Sequence, residues 1–209
     1  MSISQNPLTG GMKNSMANFI TTRCGDKNVI RAKAFSPRDA NSSSQRIQRA
    51  SMKLIVVEHQ SLGGITDIGF PAKKSGTSAY NLFVRANVPG ALDKTGELPV
   101  IDYSKLVVAE GSLPPIEVVS AIVSASGIRV SYETDTEIPN VKGTDEVVAF
   151  VKTTTGKVII SRQPRGVTAT GTILISHSGL NAENVVGCYL FVLSMDGKKA
   201  SKSVYTVIG

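Results

Sequence analysis

The chain has 209 residues, 41% apolar and 19% charged, with 5% aromatic side chains and no tryptophan. That composition excludes a disordered or collagen-like polymer and fits a globular chain able to bury a core. Its formal charge of +7 sits in the first 75 residues, where eleven basic side chains meet four acidic ones, while the remaining 134 balance at twelve of each sign.

The start, Met1-Ser2-Ile3-Ser4-Gln5-Asn6-Pro7, has neither the basic n-region nor the apolar h-region of a secretory signal, and no run approaches eighteen apolar residues. The expectation is a chain made in the cytoplasm that spans no membrane. Residues 1–15, rich in Ser, Asn, Gly and Pro without periodicity, read as an extended arm that orders on a partner. Two short runs, Ala17–Thr21 and Val29–Ala32, flank Gly25-Asp26-Lys27-Asn28 and predict a small basic β-ribbon.

Asn41-Ser42-Ser43-Ser44 offers N-caps for a helix over 45–60, with apolar residues at Ile47, Ala50, Leu54 and Val57 and also at Ile55 and Val56, and Gly63-Gly64 as its stop. Arg46, Arg49 and Lys53 fall on the opposite face. A second helix is predicted over 78–88, capped by Thr77 or Ser78, stopped by Pro89-Gly90, and facing inward with Leu82, Phe83 and Ala86. Val100–Ala109 reads as a strand. Pro114-Pro115 is the clearest boundary, because adjacent prolines cannot continue a ladder and stiffen a linker.

Seven strand candidates then recur: 116–123, 128–132, 147–152, 157–162, 172–176, 186–195 and 201–208. That spacing is typical of an immunoglobulin-like sandwich; without the buried tryptophan and inter-sheet disulfide of antibody domains, a fibronectin type III-like variant matches better. Asp196-Gly197 between two strand-forming runs predicts the last hairpin. The first of those runs, Val186–Leu193, is apolar on both alternating faces, so its strand should be covered on one side by the second sheet and on the other by something else. Tyr189 is a candidate corner tyrosine. The predicted fold is thus a β-rich α+β chain with an arm at 1–15, a basic ribbon and helix domain at 16–112 and an immunoglobulin/fibronectin type III-like β-sandwich at 116–209.

Catalytic chemistry finds little footing. Ser176-His177-Ser178 lacks a nucleophile elbow, and neighbours on a strand point to opposite faces. His59 has no second ligand at i+4, and Gly10-Gly11 with Lys13 lacks the frame of a phosphate loop. Cys24 and Cys188 read as unpaired thiols, and no metal or cofactor site is predicted. Glu133, Asp135, Glu137, Asp145 and Glu146 read as solvated loop charge, since calcium-loop spacing is missing. The expectation is a protein that is not an enzyme. Its candidate partner-binding residues are the N-terminal cations Lys13, Arg23, Lys27, Arg31, Arg46, Arg49 and Lys53, meeting an acidic protein surface or, as second choice, nucleic-acid phosphates.

Gly25-Asp26-Lys27 with Val29-Ile30-Arg31, Ser44-Gln45 with Arg49, Gly69-Phe70, Ser78-Ala79-Tyr80-Asn81 with Asn87, Ile101–Leu106 with Gly111, and Ser194, Asp196-Gly197, Ser201, Ser203 and Tyr205 together resemble an uncharacterised family, a domain of unknown function, of Bacteroidota and their tailed phages, crAss-like phages included. The resemblance runs nearly the full length. It implies a virion structural protein, a ring or collar component near the portal and tail that assembles as a homo-oligomer with other virion proteins. A nucleic-acid-binding protein of the phage genome, a capsid-decorating or adhesin-like module, and a bacterial protein of other role stay open beside it.

Overall fold

The computed structural model describes residues 2–4, 14–16, 18–24, 27–34, 39, 41–71, 77–135, 138, 141–177 and 179–209, with side chains described except at 2–4, 14–16 and 23–24. The chain divides into two compact units, 1–42 with 74–77, and 43–73 with 78–209.

The first unit holds a four-stranded antiparallel sheet of β1 (Ser2–Ser4), β2 (Asn14–Met16), β3 (Phe19–Cys24) and β4 (Lys27–Ala32) in the order β1-β4-β3-β2. The central pair is the expected ribbon, registered with Ile20 opposite Arg31 and Thr22 opposite Val29; its Gly25-Asp26 tip lies outside the described residues. The expected arm differs: Ser2–Ser4 pairs with β4 and Asn14–Met16 with β3. Short polar segments add to a sheet edge because the ladder needs only main-chain groups.

In the second unit, α1 (Ser43–Leu62) ends at Gly63, whose φ of +58° suits a residue without Cβ. A five-residue helix α2 (Ile65–Gly69) follows, and α3 (Ala79–Asn87) begins at Ser78, whose hydroxyl accepts the Asn81 N–H at 3.2 Å. Such a cap contributes about 1 kcal/mol. The buried side of α1 is Ser51, Ile55, Glu58 and Leu62; Ile55 is as expected, but the main stripe of Ile47, Ala50, Leu54 and Val57 lies one residue out of phase, and Val57 is 55% exposed. The reason is Glu58, drawn inward by a partner described below.

The strand expected at 100–109 is largely replaced. Only β6 (Val100–Ile101) pairs, with β5 (Leu92–Asp93), before a 3₁₀ turn over Tyr103–Lys105. Asp102 caps that turn by accepting the Ser104 N–H. Beyond it the backbone of 107–110 is satisfied piecemeal: Val107 N–H by the Asn87 side chain, Val108 N–H by the Ser203 hydroxyl and Glu110 N–H by the Gly69 carbonyl. A segment whose polar groups are taken by side chains and loops has no ladder to join.

All seven expected sandwich strands form: β7 (Glu117–Ser124), β8 (Gly127–Glu133), β9 (Glu146–Thr153), β10 (Val158–Pro164), β11 (Thr170–Ser176), β12 (Val185–Leu193) and β13 (Val204–Thr206). They make two antiparallel sheets, β10-β9-β12-β13 and β11-β8-β7. At the last hairpin, Gly197 takes φ +67° and Asp196 accepts from the Ser194 hydroxyl and the Lys198 N–H. The returning strand is interrupted: Ala200 and Ser201 make single bridges before β13 begins. The Ser201 hydroxyl accepts the Val192 N–H at 2.8 Å.

The double coverage expected of β12 is present. Cys188, Leu190 and Val192 join Val147, Ala149 and Val151 of β9 in the core shared with Ile128, Val130, Tyr132, Ile173 and Ile175 of the three-stranded sheet. Tyr189, Phe191 and Leu193 join Val148 and Phe150 in a second core with Ile55, Leu62, Phe70 and Phe83 of the helices. The unit is therefore three layers: helices, four-stranded sheet, three-stranded sheet. The compact-unit boundary at 42/43 differs from that expected at Pro114-Pro115, because α1–α3 lie against the outer face of the four-stranded sheet and share its core. Tyr189 is not placed as a corner tyrosine: its hydroxyl donates to the Tyr103 carbonyl at 2.8 Å, tying the sheet to the 3₁₀ turn.

Candidate interaction surfaces and a buried ion pair

The predicted cations divide between the two units. In the first, Lys27 and Arg31 are exposed on β4, Arg23 occupies β3 opposite Asn28, and Lys13 lies outside the described residues. Among the described side chains of this unit Thr21 alone is buried, while Phe19 is 54% exposed and Ile20, Val29 and Ile30 are half-buried. Apolar side chains and cations are thus presented together on a sheet with no buried apolar core among its described residues.

In the second unit Arg46, Arg49 and Lys53 are exposed along α1 at spacings of three and four, opposite Ser51, Ile55 and Glu58. Seven residues of helix set them along about 10 Å. Val57 continues the stripe, and Arg46 with Ser43, Ile47, Glu97 and Leu98 lines a shallow cleft of about 170 Å³. Two surface clefts of about 500 Å³ also carry carboxylates. One, of about 520 Å³, is lined by Asp93, Asp102 and Lys105. Its acids serve as local caps: Asp93 accepts from Thr95, and Asp102, paired with Lys105 at 2.8 Å, is held at about 2 by Lys105 and Ser104. The other, of about 510 Å³, lies at one end of the sandwich and is lined by Glu117, Glu133 and Asp135. Glu117 and Glu133 stand directly opposite in the β7–β8 register, a like-charge pairing that costs stability unless a cation meets it.

Asp145, expected as solvated loop charge, is 2% exposed. Its carbonyl accepts the Arg165 N–H at 2.6 Å. The equally buried Arg165 guanidinium reaches Thr134 through Nε at 3.4 Å, and Nη1, Nη2 and Asp145 Oδ2 have no hydrogen-bond partner. Burial pushes the Arg165 pKa down and the Asp145 charge opposes that shift.

The group that the sequence reading missed is Glu58, Lys152 and Tyr103. Lys152 Nζ lies 2.5 Å from both carboxylate oxygens of Glu58 and 3.1 Å from Ser61 Oγ, and sits 5.1 Å from the centre of the Tyr103 ring. The Tyr103 hydroxyl donates to Glu58 Oε2 at 3.4 Å, and burial together with the Glu58 charge pushes its phenol up to about 12. Both ionic side chains are almost wholly buried, at 7% and 5% exposure. A signal for them existed: Glu58 stands among the apolar residues of α1, and Lys152 ends the otherwise apolar run Val147–Val151. His59, beside Glu58, turns elsewhere, to the Thr66 hydroxyl and the rings of Tyr80 and Phe83.

Among the described residues no group of three or more His, Cys, Asp or Glu is placed to hold a metal ion, and no helix is long and apolar enough to cross a membrane. Cys188 is a buried free thiol whose pKa burial pushes up to about 12. Residues 11–207 match the model of a family described as a family of unknown function, DUF6266. No curated protein matches the chain.

Proposed function

We propose, from the premise that the chain belongs to this family of unknown function, that it is a non-enzymatic virion structural protein of a tailed phage, a ring or collar component near the portal and tail that assembles as a homo-oligomer. The observation that carries the reading is the N-terminal sheet. It presents Ile20 and Val29 beside Lys27 and Arg31 on one face and Phe19 and Ile30 on the other, and has no buried apolar core among its described residues. A small sheet reaches stability by covering an apolar face, and a neighbouring subunit supplies such a cover. The sandwich end lined by Glu117, Glu133 and Asp135 has the opposite sign, the complementarity a head-to-tail contact closing into a ring uses.

The three-layer unit is the rigid body of that component. Its fourth strand pairs with the third, leaving three strands in the other sheet, and this order supports a fibronectin type III-like sandwich. Negative-stain images of the purified chain, with light-scattering mass, test the reading: closed rings are expected, and a monomer at every concentration overturns it. The exposed Arg46, Arg49 and Lys53 stripe favours one other reading, phosphate binding to the phage genome. That reading requires retardation of duplex DNA that falls steeply with salt and is lost when the three charges are reversed.

A further inference from the structure

We propose that Glu58 and Lys152 are the two ends of an intramolecular amide bond that the protein forms on itself, joining α1 covalently to β9. Nζ of Lys152 is equidistant, at 2.5 Å, from Oε1 and Oε2 of Glu58. Points equidistant from the two oxygens lie in the plane that bisects the carboxylate through Cδ, so the nitrogen is centred on the carboxyl group and not on one oxygen. Both distances fall below the 2.7–2.9 Å usual for an ammonium–carboxylate hydrogen bond. The exposed Lys105–Asp102 pair makes the contrast, with 2.8 Å from nitrogen to one oxygen.

The surroundings favour condensation over a lasting ion pair. The two side chains are shut from water beside the apolar core of Ile55, Leu62 and Phe150, and separated charges are costly there. Transfer of one proton from Nζ to the carboxylate leaves a neutral amine against a neutral acid. The nitrogen lone pair then attacks Cδ, forming the N–C bond as the carbonyl π pair moves onto oxygen. The tetrahedral intermediate collapses with cleavage of one C–O bond, and that oxygen leaves as water. Of the three protons on the lysine ammonium, one remains on the amide nitrogen and two depart with the oxygen. Nothing is oxidised or reduced, and no co-reactant is needed.

Two neighbours serve the step. Ser61 Oγ accepts from Nζ at 3.1 Å and holds the nitrogen over the carboxyl group. The Tyr103 hydroxyl donates to Oε2, placed to pass a proton to the leaving oxygen and recover one from the nitrogen. Fixed positioning of nucleophile and carbonyl is the largest single aid to such a reaction.

Intact-mass spectrometry of the denatured full-length chain tests the bond. The expected mass is one water below that of the linear sequence. Trypsin should no longer cut after Lys152, giving peptide 54–73 joined to 143–157. Lys152→Met should restore the linear mass, and Tyr103→Phe should raise the unlinked fraction several-fold in freshly made protein. A linear mass for the wild-type chain overturns the proposal, as does a water loss that maps to other residues or persists in Lys152→Met. Because the wild-type peptide map decides by itself, the test stands even if the Lys152 variant does not fold.

Discussion

Two four-stranded antiparallel sheets in this chain invite comparison. β1-β4-β3-β2 and β10-β9-β12-β13 have the same number of strands and the same kind of ladder, yet one buries a single threonine among its described side chains and the other is packed on both faces. Hydrogen bonds exchanged with water contribute little net stability, whereas removing apolar area from water contributes most of it. Stability in this molecule therefore resides in the doubly covered sheet, and the N-terminal sheet keeps its described apolar and cationic side chains exposed or half-buried.

The sharpest way to break that comparison is to uncover one face of the stable sheet. A fragment of residues 116–209 keeps all seven sandwich strands but loses the helices that cover Val148, Phe150, Tyr189, Phe191 and Leu193. Exposing five such side chains costs roughly 8–15 kcal/mol, as much as a whole domain's stability. The fragment should aggregate or melt without cooperativity, while 43–209 should give a cooperative thermal transition by circular dichroism. A folded, monomeric 116–209 would restore the boundary read from Pro114-Pro115.

Smaller changes should follow in order. Phe191→Ala should lower unfolding free energy in urea by about 3–5 kcal/mol. Glu58→Ala, which strands the Lys152 amine in the core, should cost a similar amount, and Glu58→Leu combined with Lys152→Met should recover only the part owed to the buried charge. Asn87→Ala removes the side chain that bonds the Phe83 and Val107 carbonyls and the Val107 N–H, and should cost roughly 2–3 kcal/mol because buried main-chain groups go unpaired. At the small end, Phe19→Ser and Arg31→Glu should stay within about 0.5 kcal/mol of the wild-type stability while abolishing assembly.

Tyr103 sharpens the same contrast through pH. Its folded-state value of about 12 lies above the ordinary 10.0, so the contribution of the neutral phenol is complete below about pH 10 and is lost as pH rises through 12. Ultraviolet titration of the folded wild type against Tyr103→Phe isolates that group.

Much of this was legible in the residues. Strand-forming runs broken by Asp196-Gly197 marked the last hairpin, a cap at Thr77 or Ser78 marked α3, and the apolar run Val186–Leu193 announced a strand covered on both sides. What escaped was set by partners distant in sequence. α1 turned out of phase because Glu58 finds Lys152, 94 residues on, and the stretch 106–110 lost its strand because Asn87, Ser203 and Gly69 satisfy it. α2, at five residues, is shorter than any periodicity can register. The N-terminal cations were readable as a group, but their division between two units was not, since charge alone carries no fold.

The double coverage of β9 and β12 also changes how strand register is enforced. In a sheet with one wet face, a slip by one residue is punished by polarity, because the apolar set turns to solvent. Here both faces are dry, and such a slip would expose nothing. Beyond Lys152, whose partner Glu58 lies on the helical side, the discrimination comes from volume: the helical side takes the rings of Phe150, Tyr189 and Phe191, with Phe150 stacked on Tyr189 at 5.1 Å and Tyr205 edge-on to Tyr189 at 5.4 Å, whereas the sandwich side takes Ala149, Cys188 and valines. A slipped strand would drive three aromatic rings into a gap sized for alanine and leave a cavity under the helices. Side-chain size is the alignment code of this sheet, so paired large-to-small and small-to-large exchanges across β12, each harmless in hydrophobicity, are the changes that would let its strands shift.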